Sequence, residues 1–97
     1  MTDLILGQVI RFAGDPFVDG LSAALPIRDG AVAVEGGRIA AVGGAADLRA
    51  RYPRARLHDH GPRLISAGFI DAHVHYPQTA IIASWGKRLI DWLNTYT

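Results

Sequence analysis

The sequence predicts an α/β protein, and three observations carry the prediction. The first half is rich in branched and apolar runs separated by glycine pairs. A β-prone run from Leu64 to His75 then carries two histidines one residue apart. Finally, Ser84 to Thr97 switches to a helical period. A strand that leads into a helix is the opening unit of a parallel α/β architecture.

Each element has its own local reason. Leu4 to Phe12 (LILGQVIRF) is dense in branched and aromatic residues and predicts a strand. Gly14-Asp15-Pro16 breaks it, and Phe17 to Asp29 reads as a loop. Ala31 to Glu35 and Arg38 to Val42 are two β-rich arms around Gly36-Gly37. Glycine accepts the positive φ of a tight primed turn, so this is a hairpin, ended by Gly43-Gly44. Ala45 to Tyr52 is helix-forming and stops before Pro53. Arg56 to His60 predicts a short strand, and Leu64 to His75 a longer one closed by Tyr76-Pro77. In the last segment Trp85, Leu89, Trp92, Leu93 and Tyr96 fall on one helical stripe, and Lys87 and Asp91 are spaced to pair on its surface. The helical pattern still runs at Thr97 and one βα unit cannot bury a strand on both faces, so the chain reads as the opening of a larger fold.

The totals exclude several functions. The 97 residues suffice for one small domain, and 49% apolar content makes it globular. Ten basic against nine acidic residues leave +1, which gives no electrostatic case for nucleic acid or an anionic membrane. Arg49, Arg51, Arg54 and Arg56 crowd together, but no aromatic platform or glycine cradle accompanies them, and they read as a solvated helix end and loop. The absence of cysteine excludes disulfides, thiolate nucleophiles and Cys-ligated zinc. No secretory pattern and no apolar run of the ~20 residues a membrane span needs is present, so a cytoplasmic location is expected.

The histidines carry the chemistry. In a strand, residues two apart share a face, so Asp71, His73 and His75 are expected to point one way, with Ile70, Ala72 and Val74 on an apolar layer. Two imidazoles at the end of a strand suit a divalent metal such as Zn2+. Burying them without a partner would be costly. His58 and His60 share the same spacing but lie among charges before Gly61-Pro62, and they read as exposed loop histidines. Joined to His73 and His75, they would instead make a closed four-imidazole site. Catalytic zinc takes three protein ligands and an open position. Asp91 is accounted for by the helix surface, so the remaining ligands are expected outside these residues.

Gly68-Phe69-Ile70-Asp71-x-His73-x-His75, preceded by a β-rich segment with the Gly36-Gly37-x-Ile39 hairpin, resembles the start of the metal-dependent amidohydrolases. His75-Tyr76-Pro77-Gln78, followed by Ala83 to Thr97, resembles the guanine deaminase family among them. Ala67 and Ala72 depart from the usual Pro and Thr, without touching the histidines or Gln78. The resemblance implies a β-sandwich segment over 1–66, then the first strand and helix of a (β/α)8 barrel over 67–97. It implies that His73 and His75 hold the metal, Zn2+ with Fe2+ as the alternative, and that Gln78 binds the purine. The implied reaction is hydrolytic deamination of guanine to xanthine and ammonia, with the acid and base residues beyond Thr97. On that reading the 97 residues alone are inactive, and the full-length protein is a homo-oligomer. The alternatives are another amidohydrolase, acting on a triazine, pyrimidine or cyclic amide, and a binding module that keeps the motif without catalysis.

Overall fold

In a computed structural model, residues 1–86 and 88–97 are described. Four strands form one mixed sheet: β1 (Thr2–Phe12), β2 (Ala24–Glu35), β3 (Arg38–Gly44) and β4 (Arg56–Ile65), in the order β3-β2-β1-β4. β1 and β2 pair antiparallel, as do β2 and β3, while β4 lies parallel to β1. Three α-helical segments accompany them: α1 (Pro16–Asp19), α2 (Ala45–Arg51) and α3 (Leu89–Tyr96). Short 3-10 turns cover Leu21–Ala23 and Tyr76–Ile81.

The core lies on the face that α2 covers. Leu4 opposes Ala33 and Leu6 opposes Ala31 across β1 and β2, so all four point to the same side. Leu48 of α2 packs onto them, and Ala41, Ala45, Tyr52 and Ala55 ring the cluster. Ala31 and Ala33 lack the bulk to hold the helix off the sheet, so it sits close. On the opposite face Ile5, Val32, Val34, Ile39, Val42 and Ile65 line an open apolar groove of about 430 Å3.

The hairpin forms where the glycine pair predicts it. Gly36 and Gly37 take φ of 56° and 75°, both in the left-handed region that a primed turn requires. The predicted helix after Gly44 is also present, ending at Arg51 before Pro53. The region read as a loop from Phe17 to Asp29 is not one. α1 opens it, with Asp15 as the cap accepting the Phe17 N–H at 2.9 Å, and β2 begins at Ala24. Pro26 does not end that strand. It pairs with Ile10 of β1, while β3 joins β2 only from Gly30 onward, so the missing proline donor faces no ladder.

β4 runs past the expected Arg56 to His60 through Ile65. The parallel register passes from Leu6↔Asp59 to Gln8↔Leu64, so the Gly61-Pro62 portion of β4 bulges out. β1 slips against β2 at the same point, between Gly7 and Val9. Gly7 is required there: a Cβ would lie 2.7 Å from Ile65 Cδ1 and 2.9 Å from the Arg63 carbonyl oxygen.

The predicted strand from Leu64 to His75 is the main correction. Pairing ends at Val9↔Ile65, and residues 66–75 form no strand. Strand preference reflects packing against neighbours. Phe69, Ile70 and Val74 are 98%, 95% and 59% exposed, so no such neighbour is provided. No described residue after Ile65 is buried. The radius of gyration is 18.7 Å, against ~12.5 Å for a compact chain of this length. Among the described residues no helix is long and apolar enough to cross a membrane.

The terminal helix is shorter than predicted and begins at Leu89, leaving Trp85 outside it. The residues before it are tied down nonetheless. Trp92 Nε1 donates to the Ser84 carbonyl at 2.7 Å, and the Tyr96 hydroxyl to the Trp85 carbonyl at 3.1 Å. Lys87, the expected partner of Asp91, lies outside the described residues. Among the described residues, Asp91 takes a two-pronged bond from Arg88, Nε at 2.7 Å and Nη2 at 2.9 Å.

Candidate functional site

The two histidines meet although the strand that was to align them does not form. His73 Nε2 and His75 Nε2 are 3.0 Å apart, and the ring centroids are 5.1 Å apart with a 33° tilt. Both rings are solvent-exposed. A contact between two ring nitrogens needs one N–H donor and one lone pair, so the rings take complementary tautomers. Two imidazole nitrogens on a tetrahedral zinc at ~2.0–2.1 Å would lie about 3.3 Å apart. The observed pair is within a few tenths of an ångström of that spacing, so these residues fit a shared cation in place of the shared proton.

Backbone bonds on either side organise the segment. Asp71 Oδ1 accepts the His73 N–H at 3.0 Å, and the Gln78 N–H donates to the His75 carbonyl at 2.9 Å. The second bond belongs to the 3-10 turn Tyr76–Ile81, which opens with Pro77 near its start. Gln78 is half-buried within that turn, three residues from His75. The expectation that Asp71 shares a strand face with the histidines is replaced by a local one. Its carboxylate closes a turn onto the backbone of His73.

The other histidine pair lies on a strand rather than in a loop, and both rings are exposed. His58 Nε2 contacts Asp3 Oδ1 at 2.8 Å, and Arg56 Nε donates to the same oxygen at 2.6 Å. Asp3 is opposite Arg56 in the parallel ladder, which places these side chains together. The bond from Arg56, then that from His58, holds the Asp3 carboxyl down at about 2, from an ordinary 3.8. The Asp3 carboxylate raises the Arg56 guanidinium in turn. Sequence reasoning missed this cluster, because nothing local in RLHDH announces a parallel partner more than fifty residues earlier. Among the described residues no group of three or more His, Asp or Glu is arranged to hold a metal ion, so the four-imidazole arrangement is not formed.

Comparison with known proteins places this arrangement in context. Residues 30–55 match the model of an imidazolonepropionase-like composite domain of bacteria. The chain is 34% identical over 72 residues to guanine deaminase of Escherichia coli, covering 73% of this chain and 16% of that protein. It is 42% identical over 74 residues to a probable guanine deaminase of Deinococcus radiodurans, covering 71% of this chain and 17% of that one. The crystal structure of guanine deaminase from Bradyrhizobium japonicum superposes with a TM-score of 0.71 at 33% identity, covering 96% of this chain and 21% of that one. The chain is thus similar to the N-terminal portion of guanine deaminases, and it spans about a sixth of the length of the curated relatives it matches.

Proposed function

We propose that these residues are the N-terminal part of a zinc-dependent deaminase that converts guanine to xanthine and ammonia. One observation carries the proposal: the two imidazoles converge to 3.0 Å within a chain that resembles guanine deaminases. On this reading residues 1–66 belong to a β-sandwich, and 67–97 become the first βα unit of a barrel once the rest of the protein supplies the strand partner that residues 66–75 lack here. The open apolar groove beneath Ile5, Val32 and Val34 supports the sandwich, since a sheet buries its apolar face against another layer.

His73 and His75 would supply two nitrogen ligands. A zinc ion held there would lower the pKa of a bound water toward neutrality and so supply a nucleophile at neutral pH. Gln78 offers both a donor and an acceptor, which matches a purine edge that presents both. Gln78 is half-buried three residues after His75. Losing such a contact leaves partner groups unpaired, a source of strong discrimination between substrates. The remaining ligands and the acid and base groups are contributed by the rest of the protein, and the 97 residues alone are inactive.

The test is xanthine formation from guanine by the protein extended to the length of its relatives, with zinc supplied. Turnover is expected there, abolished by His73→Ala. Gln78→Ala should lower kcat/KM for guanine by ~10–100-fold, the effect of one unpaired buried polar contact. Activity on a triazine or cyclic amide, with none on guanine, would overturn the proposal. Zinc-dependent turnover by the 97 residues alone would overturn the assignment of the missing groups.

A further inference from the structure

We infer that Trp92 is a positioning residue for Gln78, because it fastens the connection that carries Gln78 onto α3. The inference rests on the reading of Gln78 as the residue that binds the purine.

Residues 76–86 lead from His75 toward α3. In the proposed barrel they are a strand-to-helix connection, and such connections build the site at the C-terminal ends of the strands. A side chain on a connection is only as well placed as the contacts that hold the connection. The near end is held at His75, whose carbonyl accepts the Gln78 N–H at 2.9 Å. The 3-10 turn Tyr76–Ile81 then runs into a second turn, closed by the Ser84 N–H on the Ile81 carbonyl at 3.1 Å.

The far end is held by α3. Trp92 Nε1 donates to the Ser84 carbonyl at 2.7 Å, and the Tyr96 hydroxyl to the Trp85 carbonyl at 3.1 Å. Trp92 and Tyr96 stand one helical turn apart with ring centroids 5.6 Å from each other, so both donors rise from one face of α3. Ser84 and Trp92 are half-buried, so their bond is partly shielded from water. Gly86 lets the backbone rest on the indole: a Cβ there would lie 2.9 Å from Trp92 Cδ1 and 3.0 Å from Trp92 Cβ. Every partner in this series lies between His75 and Tyr96, so the fastening needs no residue from elsewhere in the protein.

The donor separates two roles for Trp92. A residue of the helix core acts through the bulk of its ring. A positioning residue acts here through Nε1 on the Ser84 carbonyl. Trp92→Phe keeps an aromatic ring and removes the donor.

The experiment measures kcat/KM for guanine in the zinc-loaded protein extended to the length of its relatives, as wild type, Trp92→Phe, Gln78→Ala and the double variant. Trp92→Phe should lower kcat/KM by ~3–10-fold, the net effect of one hydrogen bond. In the Gln78→Ala background the same change should matter by less than ~2-fold, because substitutions that act through one contact do not add. Gly86→Ala pushes the backbone off the indole with the donor intact, and it should repeat the Trp92→Phe result in both backgrounds. Zinc content should stay at the wild-type level throughout. Equal losses from Trp92→Phe with and without Gln78 would mean a general structural role and overturn the inference, while the guanine reading stands. Wild-type rates in both Trp92→Phe and Gly86→Ala would overturn it as well, and so would a loss of zinc in Trp92→Phe, which would place the effect at the histidines. No guanine turnover by the extended wild-type protein would overturn the proposed function and this inference with it.

Discussion

Leu4→Ala probes the packing that supports the rest of the chain. Leu4 is fully buried between the sheet and α2, against Leu48, Ala31 and Ala33. The substitution removes three carbon groups, worth about 2.4 kcal/mol of transfer free energy at ~0.8 kcal/mol each. A cavity term adds to this. Ala31 and Ala33 are too short and too firmly laddered to fill the hole, while Leu48, on a helix of seven residues, can settle partway in. The expected loss is therefore ~3–4 kcal/mol, within the measured range for such changes and a large share of a small domain's stability. Urea unfolding followed by circular dichroism measures it as a drop in midpoint at unchanged slope. Leu21→Ala is the control: Leu21 is 88% exposed, and its loss should stay within ~0.5 kcal/mol. Equal effects at the two leucines, or a loss at Leu4 below ~1 kcal/mol, would refute the placement of the core.

Three further outcomes follow from other features. Gly36→Ala places a side chain at φ 56° and should cost about 1 kcal/mol in the same urea experiment, whereas Gly36→Asn should cost less. Gly7→Ala should lose ~1–3 kcal/mol, because one of the two contacts it creates is with backbone oxygen that cannot swing away. The Asp3 carboxyl is held below its ordinary value, to about 2 from 3.8. The unfolded chain therefore binds more protons between those values. The stabilisation is complete above about pH 4 and is lost as pH falls toward 2. Asp3→Asn should accordingly show a flatter fall in stability across that window in acid titrations, and an unchanged slope would contradict the cluster.

What the sequence discloses divides along a physical line. The Gly36-Gly37 turn and the helix before Pro53 are legible because their causes are local: a positive φ, and a proline that stops a helix. The start of β2 at Ala24 is not legible, since whether Pro26 is tolerated depends on how far β3 reaches along its neighbour. The run after Ile65 fails for the converse reason. Its residues favour strands, but a strand exists only beside a partner. The histidine pair is legible by spacing, but here it meets without the strand that the alternation predicts. Asp71 closes a turn onto the His73 N–H, and Asp-x-His shortly after Gly68 is the signal that could have revealed that turn. The role proposed for Gln78 reaches this chain only through resemblance.

The most direct test of the central claim follows the ring protons of all four histidines by nuclear magnetic resonance as Zn2+ is added. His73 and His75 should shift together while His58, bound to Asp3, and His60 stay in place. Equal movement of all four, or movement of His58 and His60 alone, would contradict the assignment of the metal site to the pair at the end of GFIDAHVH.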